Sequence, residues 1–210
     1  MIVTDITEYK KTKYKIYVDY EFAFVLYKGE LHKYRIKKDE TISDAVYREL
    51  TEKVLPKRAK LRAMNLLTKR PYTEQKLREK LSEGMHSQVC IDTAIDYVKS
   101  FGYLDDRTFA AEYIAYHMSS QSRRVMEQKL TQKGIAPKLI RECLEEMDVH
   151  ACEEAEQEQI HRLFIKKYKG QIPEDSAEKT KMINFFIRKG YSMSAVKSVL
   201  EEISLDDLYN

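Results

Sequence analysis

The sequence has no tryptophan, four prolines, six glycines and three cysteines among 210 residues. So few helix breakers rule out collagen-like and low-complexity chains and leave room for long helices. Cys90, Cys143 and Cys152 are an odd number with no C-x-x-C spacing, which points to a reduced, cytosolic protein rather than a disulfide scaffold. Each falls in a helical apolar pattern and is expected to pack in a core. No apolar run reaches the length of a membrane span. The opening "MIVTDITEYKK" lacks the charged-then-apolar order of a signal peptide. Also missing are a G-x-x-x-x-G-K-[ST] phosphate loop, a G-x-G-x-x-G turn and a G-x-S-x-G elbow. No nucleophile has a visible base. The expectation is therefore a protein that is not an enzyme and needs no cofactor.

Charge is plentiful. Charged residues make up 34% of the chain and hydrophobic residues 43%, a balance that suits amphipathic helices with salted surfaces. The formal net charge is only +3, but it is unevenly spread. Lys53 to Lys80 holds ten Lys/Arg against two acids, Glu74 and Glu79. Such a segment is either a solvated helix face or a side that meets a polyanion.

The first fifty residues read as β-rich. In "YKIYVDYEFAFVLY" (14–27), Tyr14, Ile16 and Val18 alternate with Lys15, Tyr17 and Asp19, and Phe22, Phe24 and Leu26 resume the period. Period two with aromatic and β-branched residues predicts strands, turning near Asp19-Tyr20. "MIVTDITEY" supplies a third strand, and "YKGELHKY" a turn into a short helix. Beyond Ser43 the period becomes 3.6. Ser43 caps a helix over 44–54, Pro56 ends it or opens the next, and Ala59, Ala63, Leu66 and Leu67 line one side of a helix over 57–69. Pro71 stops that helix and Thr73 caps another over 73–83.

An internal repeat organises the rest. "LTQKGIAPKLIRECLEEM" (130–147) aligns without a gap on "FIRKGYSMSAVKSVLEEI" (186–203). Lys133/Lys189, Gly134/Gly190, Leu144/Leu200, Glu145/Glu201 and Glu146/Glu202 are identical, and Met147/Ile203 is one of five apolar matches. A fainter copy surrounds Gly84. Its apolar positions Ile91, Ala94, Ile95 and Val98 follow one residue late. Gly84, Gly134 and Gly190 are each expected to close one helix before another begins. The predicted units are helices over 57–69, 73–83 and 87–101, then 105–118, 121–133 and 137–147, then 151–169, 176–189 and 192–203. The fold class is mainly α: three tandem three-helix repeats forming an elongated, curved body, with a small N-terminal β-rich extension. The boundaries are 1–50 for the extension, then 51–103, 104–149 and 150–210.

Two candidate sites look chemical. In "GYLDDRTFAAEYI" (102–114), Asp105 and Asp106 could pair on a metal, as in a magnesium-dependent nuclease. Neighbouring residues at a helix start diverge, however, and no third ligand stands near. As a fold signal the stretch is complete. Gly102 closes one helix, Asp105 is an N-cap, Asp106 meets the helix dipole, and Leu104 and Phe109 have hydrophobic-staple spacing. Phe109, Ala110, Tyr113, Ile114, Tyr116 and His117 form a core-facing stripe. His150, Cys152 and His161 match no common zinc spacing. The Asp206-Asp207 pair is expected in a short solvated tail. No metal site is expected.

These residues resemble the RecX family of RecA regulators. "FGYLDDRTFAAEYI" is similar to the family's most recognisable stretch, including Gly102, Tyr103, Leu104, Asp105, Asp106 and Phe109. "LLTKRPYTEQKLREKL" (66–81) resembles the opening of its first repeat, and "MEQKLTQKGI" (126–135) its second-repeat helix. Two departures stand out: Tyr20 where a glycine is more usual, and "SSQSRRVM" with Ser122, Arg123 and Arg124 where members often carry a glycine. The resemblance implies a non-catalytic, cytoplasmic regulator of recombination, DNA repair and the SOS response. It would lie in the groove of the RecA–DNA filament, inhibiting ATP turnover and strand exchange. Implied partners are the RecA filament and DNA, chiefly single-stranded and secondarily double-stranded, with no membrane. Lys57, Arg58, Lys60, Arg62, Lys69, Arg70, Arg123 and Arg124 are the residues expected to face DNA or acidic recombinase surface. The alternative is a helical nucleic-acid-binding protein with no recombinase partner.

Overall fold

A computed structural model describes residues 1–146 and 149–209, with side chains from 1–146 and 152–204. The chain divides into two compact units, Met1–Asp105 and the part from Asp106 onward.

The first unit opens with a three-stranded antiparallel sheet of order β1-β2-β3: β1 (Val3–Lys10), β2 (Lys13–Val18) and β3 (Glu21–Tyr27). Ile6, Ile16 and Phe24 stand side by side across the three strands, as do Tyr14 and Leu26 on the last two. Alternation therefore places one residue set on the core face. The expected turn falls at Asp19 and Tyr20, both left-handed with φ of 49° and 71°. Such a turn matches strand twist but strongly favours Asn-Gly over Tyr. Asp19 Oδ1 accepts from the Ile2 amide at 2.8 Å, and Thr4 Oγ1 accepts from the Tyr20 amide at 3.0 Å. These two bonds fasten the turn to the opposite end of β1.

The short helix α1 (Lys28–Lys33) follows, then α2 (Asp44–Arg48), whose cap Ser43 accepts from the Val46 amide at 3.3 Å. The helices predicted over 44–54 and 57–69 are not separated. A π-helical stretch (Glu49–Val54) runs straight into α3 (Leu55–Leu67), with Pro56 in its first turn. Proline donates nothing and its ring crowds the carbonyl four residues back. The wider winding just before it moves that carbonyl aside, so the chain stays helical.

Helix α4 (Glu74–Ser82) is capped by Thr73, and α5 (Gln88–Ser100) by Ser87. The expected role of Gly84 is corrected here. Gly84 is not left-handed; Met85 is, with φ 60°. The turn closes one residue later than in the other repeats, and this accounts for the one-residue lag of Ile91, Ala94 and Ile95. One core unites sheet and helices. Ile16, Phe24, Leu26, Leu50, Ala59, Ala63, Leu77, Leu81, Ala94, Ile95 and Val98 are buried in a single cluster. The ribbon, too small to stand alone, is covered by the first repeat.

The second unit holds α6 (Asp106–His117), α7 (Arg123–Gln132) and α8 (Pro137–Glu145), then α9 (Val149–Tyr168), α10 (Ser176–Arg188) and α11 (Met193–Tyr209). Each trio buries its own cluster. Ala110, Ile114, Met126, Leu130, Ile135 and Ile140 fill the first, and Ile160, Phe164, Met182, Phe186, Tyr191 and Val196 the second. Gly134 and Gly190 are left-handed as expected, at φ 89° and 92°. Two expectations need correcting. Tyr116 is 80% exposed rather than on the core stripe. At 100° per residue it lies about 120° round from Ala110. The last helix continues to Tyr209 instead of ending near 203, since neither Gly nor Pro interrupts Ile203–Tyr209. Met147 lies outside the described residues, as do the side chains of His150, Asp206 and Asp207.

Candidate binding surface

Helix α3 turns Ala59, Ala63 and Leu66 inward at helical spacing. The intervening positions must therefore carry its basic residues outward. Lys57 and Arg62 are exposed, with Leu61 between them 58% exposed. Lys60 leans on the Tyr97 ring of α5, its ammonium 4.9 Å from the centroid. Beyond the helix, Lys69 and Arg70 are exposed in the connection to α4, and the Arg70 guanidinium lies 4.6 Å from the Tyr72 ring. Among the described residues no carboxylate lies within ion-pair distance of Lys57, Lys60, Arg62, Lys69 or Arg70.

Arg58 is different. It pairs with Glu30 of α1, donates to the Val25 carbonyl at 2.9 Å and covers the Tyr27 ring at 4.8 Å. It ties α3 to β3, and little of its charge is left for a partner. The basic residues of α4 are also engaged. Arg78 bridges Glu74 at 2.8 Å and Asp92 at 2.5 Å, Lys76 meets Glu79 at 2.8 Å, and Lys80 meets Glu83 at 2.8 Å. Burial works to raise the Glu74 carboxyl, but hydrogen bonds from Lys99 and Arg78 outweigh it and hold it below the usual range. The cation-rich segment thus sorts into an internal network on α4 and an unpaired set on α3 and the loop after it.

Beside Lys60 lies an aromatic ladder that the sequence reading placed in the fold alone. Tyr97 and Phe101 have ring centroids 5.0 Å apart, and Phe101 stacks on Tyr103 at 5.8 Å. Phe101 and Tyr103 are each 57% exposed, so Tyr103 is a surface residue. Gly102 between them is left-handed, with φ 69°, and Leu104 is buried in the first core. Asp105 immediately precedes α6, Asp106 is its first residue and Phe109 packs against the second core. Among the described residues no three His, Cys, Asp or Glu side chains gather as a metal would need.

In the second unit, Arg123 and Arg124 are exposed on the first turn of α7. Arg123 approaches Glu127 at 3.4 Å and lies close enough to Glu156 of α9 to counter the rise that burial gives that carboxyl. Arg124 has no ion-pair partner among the described residues. The position of both is fixed by Ser122. Its hydroxyl leaves its own helix uncapped and donates instead to the Lys189 carbonyl at 2.9 Å. Close by, Gln159 of α9 donates to the Met118 carbonyl at 2.7 Å and accepts from the Tyr191 hydroxyl at 3.0 Å. The second and third repeats are stitched together at this buried amide. Arg107, another residue the sequence reading passed over, clamps α6 to the end of α8 through Glu142 at 2.6 Å and Glu146 at 2.7 Å. Its signal was the four-residue spacing of Glu142 and Glu146, which puts both carboxylates on one side of the helix.

Comparison with known proteins gives matches to three family models, described as the first, second and third three-helix domains of RecX, over residues 59–97, 105–144 and 154–200. Together they cover more than half of the chain. The regulatory protein RecX of Clostridium botulinum (strain Eklund 17B / Type B) is 25% identical over 209 residues, 98% of this chain and 97% of the relative. That of Clostridium perfringens (strain 13 / Type A) is 27% identical over 192 residues, 90% and 89% of the two chains. Among solved structures, a crystal structure of regulatory protein RecX superposes with a TM-score of 0.64 at 21% identity, covering 95% of this chain and 98% of that one. RecX from Lactobacillus salivarius gives 0.63 at 17% identity, covering 72% and 98%.

Proposed function

The chain belongs to the RecX family, and on that premise we propose that it is a non-catalytic regulator of homologous recombination and DNA repair. It seats in the groove of the RecA–DNA filament and slows RecA ATP turnover and strand exchange. The observation that carries this reading is the unpaired set Lys57, Lys60, Arg62, Lys69, Arg70 and Arg124, with exposed Leu61, Phe101 and Tyr103 near the first of them. Unpaired cations suit phosphate or acidic protein surface, and arginine forks suit both. The aromatic ladder supplies the rigid anchors that protein interfaces concentrate their energy in. Three tandem repeats can engage more than one protomer, so modest contacts multiply through effective concentration. Arg58 and Arg123 belong to the expected set by sequence, but their contacts with Glu30 and Glu127 leave them secondary.

The triple variant Lys57→Glu, Lys60→Glu, Arg62→Glu tests the surface. Inhibition of RecA ATPase on single-stranded DNA should weaken at least tenfold while the melting temperature holds. Equal losses of stability and inhibition would assign these residues to packing. The alternative reading, a helical nucleic-acid binder without a recombinase partner, draws on the same unpaired cations. It requires as strong an effect on bare DNA as on assembled filaments. With about five phosphate contacts it also requires a log–log salt slope of roughly −3.5 on single strands.

A further inference from the structure

The N-terminal sheet has a second face outside the main core cluster, on which Val25 is the one buried residue among those described. Across it, Asp5 and Phe22 flank Tyr17, Thr7 and Val25 flank Lys15, and Tyr27 stands opposite Lys13. Lys15 and Lys10 both reach the Tyr9 ring, each 5.1 Å from its centroid, and Lys13 lies 5.1 Å from that of Tyr27. Tyr17 and Phe22 meet edge to face at 5.9 Å. Phe22 is 45% and Tyr27 38% exposed. Four aromatic rings thus alternate with three lysines over about 14 Å of strand. Asp5 pairs with Lys38 at 3.1 Å, and among the described residues no carboxylate lies within ion-pair distance of Lys10, Lys13 or Lys15.

A fifth ring stands at the tip. Tyr20 is 91% exposed and left-handed at φ 71°. The backbone pays for a side chain at this position, yet the ring packs against nothing that would return stability. A strained, exposed aromatic is a reason to look for a ligand.

From this geometry we infer that the outer face of the sheet is a stacking platform for single-stranded nucleic acid. Bases lie on Tyr17, Phe22 and Tyr20, and the backbone phosphates run along Lys13, Lys15 and Lys10. Every base has a π-face and every nucleotide a negative charge, so interleaved aromatics and lysines fit this partner without reading sequence. An acidic protein would engage the lysines but offers no row of planar π-faces to stack on the rings between them, whereas single-stranded nucleic acid uses both. The inference does not rest on the recombinase reading, and its test contains no recombinase.

The test is fluorescence anisotropy of the full chain with a labelled oligothymidylate and with an abasic oligomer of equal length. Oligothymidylate should bind at least fivefold more tightly than the abasic strand, the expected worth of one stacked base. The double variant Tyr17→Ala, Phe22→Ala should erase that preference. Tyr20→Gly separates binding from folding, because glycine suits the turn: its melting temperature should hold or rise while oligothymidylate affinity falls severalfold. Lys13→Gln with Lys15→Gln should reduce the log–log salt slope by about 1.4. Equal binding of the two oligomers would overturn the proposal and leave phosphate contact alone, as would a Tyr20→Gly protein that binds like its parent.

Discussion

Gly190 and Ser122 share a space with room for one side chain. A Cβ at Gly190 would lie 2.6 Å from Ser122 Oγ and 3.3 Å from Arg124 Cβ, and its φ of 92° disfavours any other residue. Gly190→Ala is expected to cost about 2–4 kcal/mol from strain and overlap together. Ser122→Gly should relieve the overlap but not the strain. A double-mutant cycle by urea denaturation should then show about 1–2 kcal/mol of favourable coupling; strict additivity would mean the two positions do not touch. The glycine was legible in the repeat, and its left-handed φ followed. Its tight fit against Ser122 was not, because that contact joins positions 67 residues apart and has no periodicity. The departure from the family pattern at Ser122 thus has a local reason: its hydroxyl serves the next repeat rather than its own helix.

His86 offers a second test. Burial, then the positive charges of Arg58, Lys13 and Arg62, push its pKa down from 6.5 to about 4. The unfolded chain binds the proton more readily than the folded one. Stability is therefore complete above pH 6.5 and is lost as pH falls from 6.5 toward 4. Discounted for partial exposure, the loss is about 1 kcal/mol. His86→Gln should flatten that part of the stability–pH curve. A curve unchanged by the substitution would place the histidine in solvent.

Helices reveal themselves by caps and period, and where a capping side chain was present the start of the helix held. Ser43, Thr73 and Ser192 all cap as their sequence positions suggest, accepting from Val46, Lys76 and Ala195 amides at 3.3, 3.3 and 3.1 Å. Thr73→Ala should cost about 1 kcal/mol by loss of the cap, read as a lower urea midpoint without change of slope. Loss of less than about 0.3 kcal/mol would contradict the capping role. The π-helical stretch before Pro56 stayed hidden. Apolar spacing averages over a turn and cannot register one extra residue within it, while proline signals a break even where the chain continues. Met85 was obscured for a related reason: Gly84 is the better candidate for a left-handed turn, but the one-residue lag in the following helix decides the outcome. The aromatic ladder of Phe101 and Tyr103 and the Lys–Tyr sheet face were visible as letters only. Exposure depends on what the neighbouring elements cover, and no local pattern records it.

Within Met1–Asp105 the buried apolar residues from Val3 to Leu104, Val25 and Pro56 apart, belong to one cluster. That unit expressed by itself should unfold in a single cooperative transition with coincident far-UV and tyrosine-fluorescence midpoints. The absence of tryptophan leaves tyrosine as the reporter. Non-coincident midpoints would show that the sheet and the first repeat fold separately. For the full chain, repetition was the most legible property of all: the gapless alignment around Gly134 and Gly190 gave two three-helix units, and the fainter copy around Gly84 the third. Function was less legible, because a basic segment does not say which of its charges are already spent. Only the pairing of Arg58 with Glu30 and of Arg78 with Glu74 and Asp92 separates the available cations from the committed ones.

The most direct measurement is the steady-state ATPase of RecA on single-stranded DNA with this protein added below the RecA concentration. Turnover should fall at a small fraction of one protein per protomer, and more steeply than competition for bare DNA allows. ATP hydrolysis unchanged up to equimolar protein would contradict the assignment of this chain as a RecA regulator.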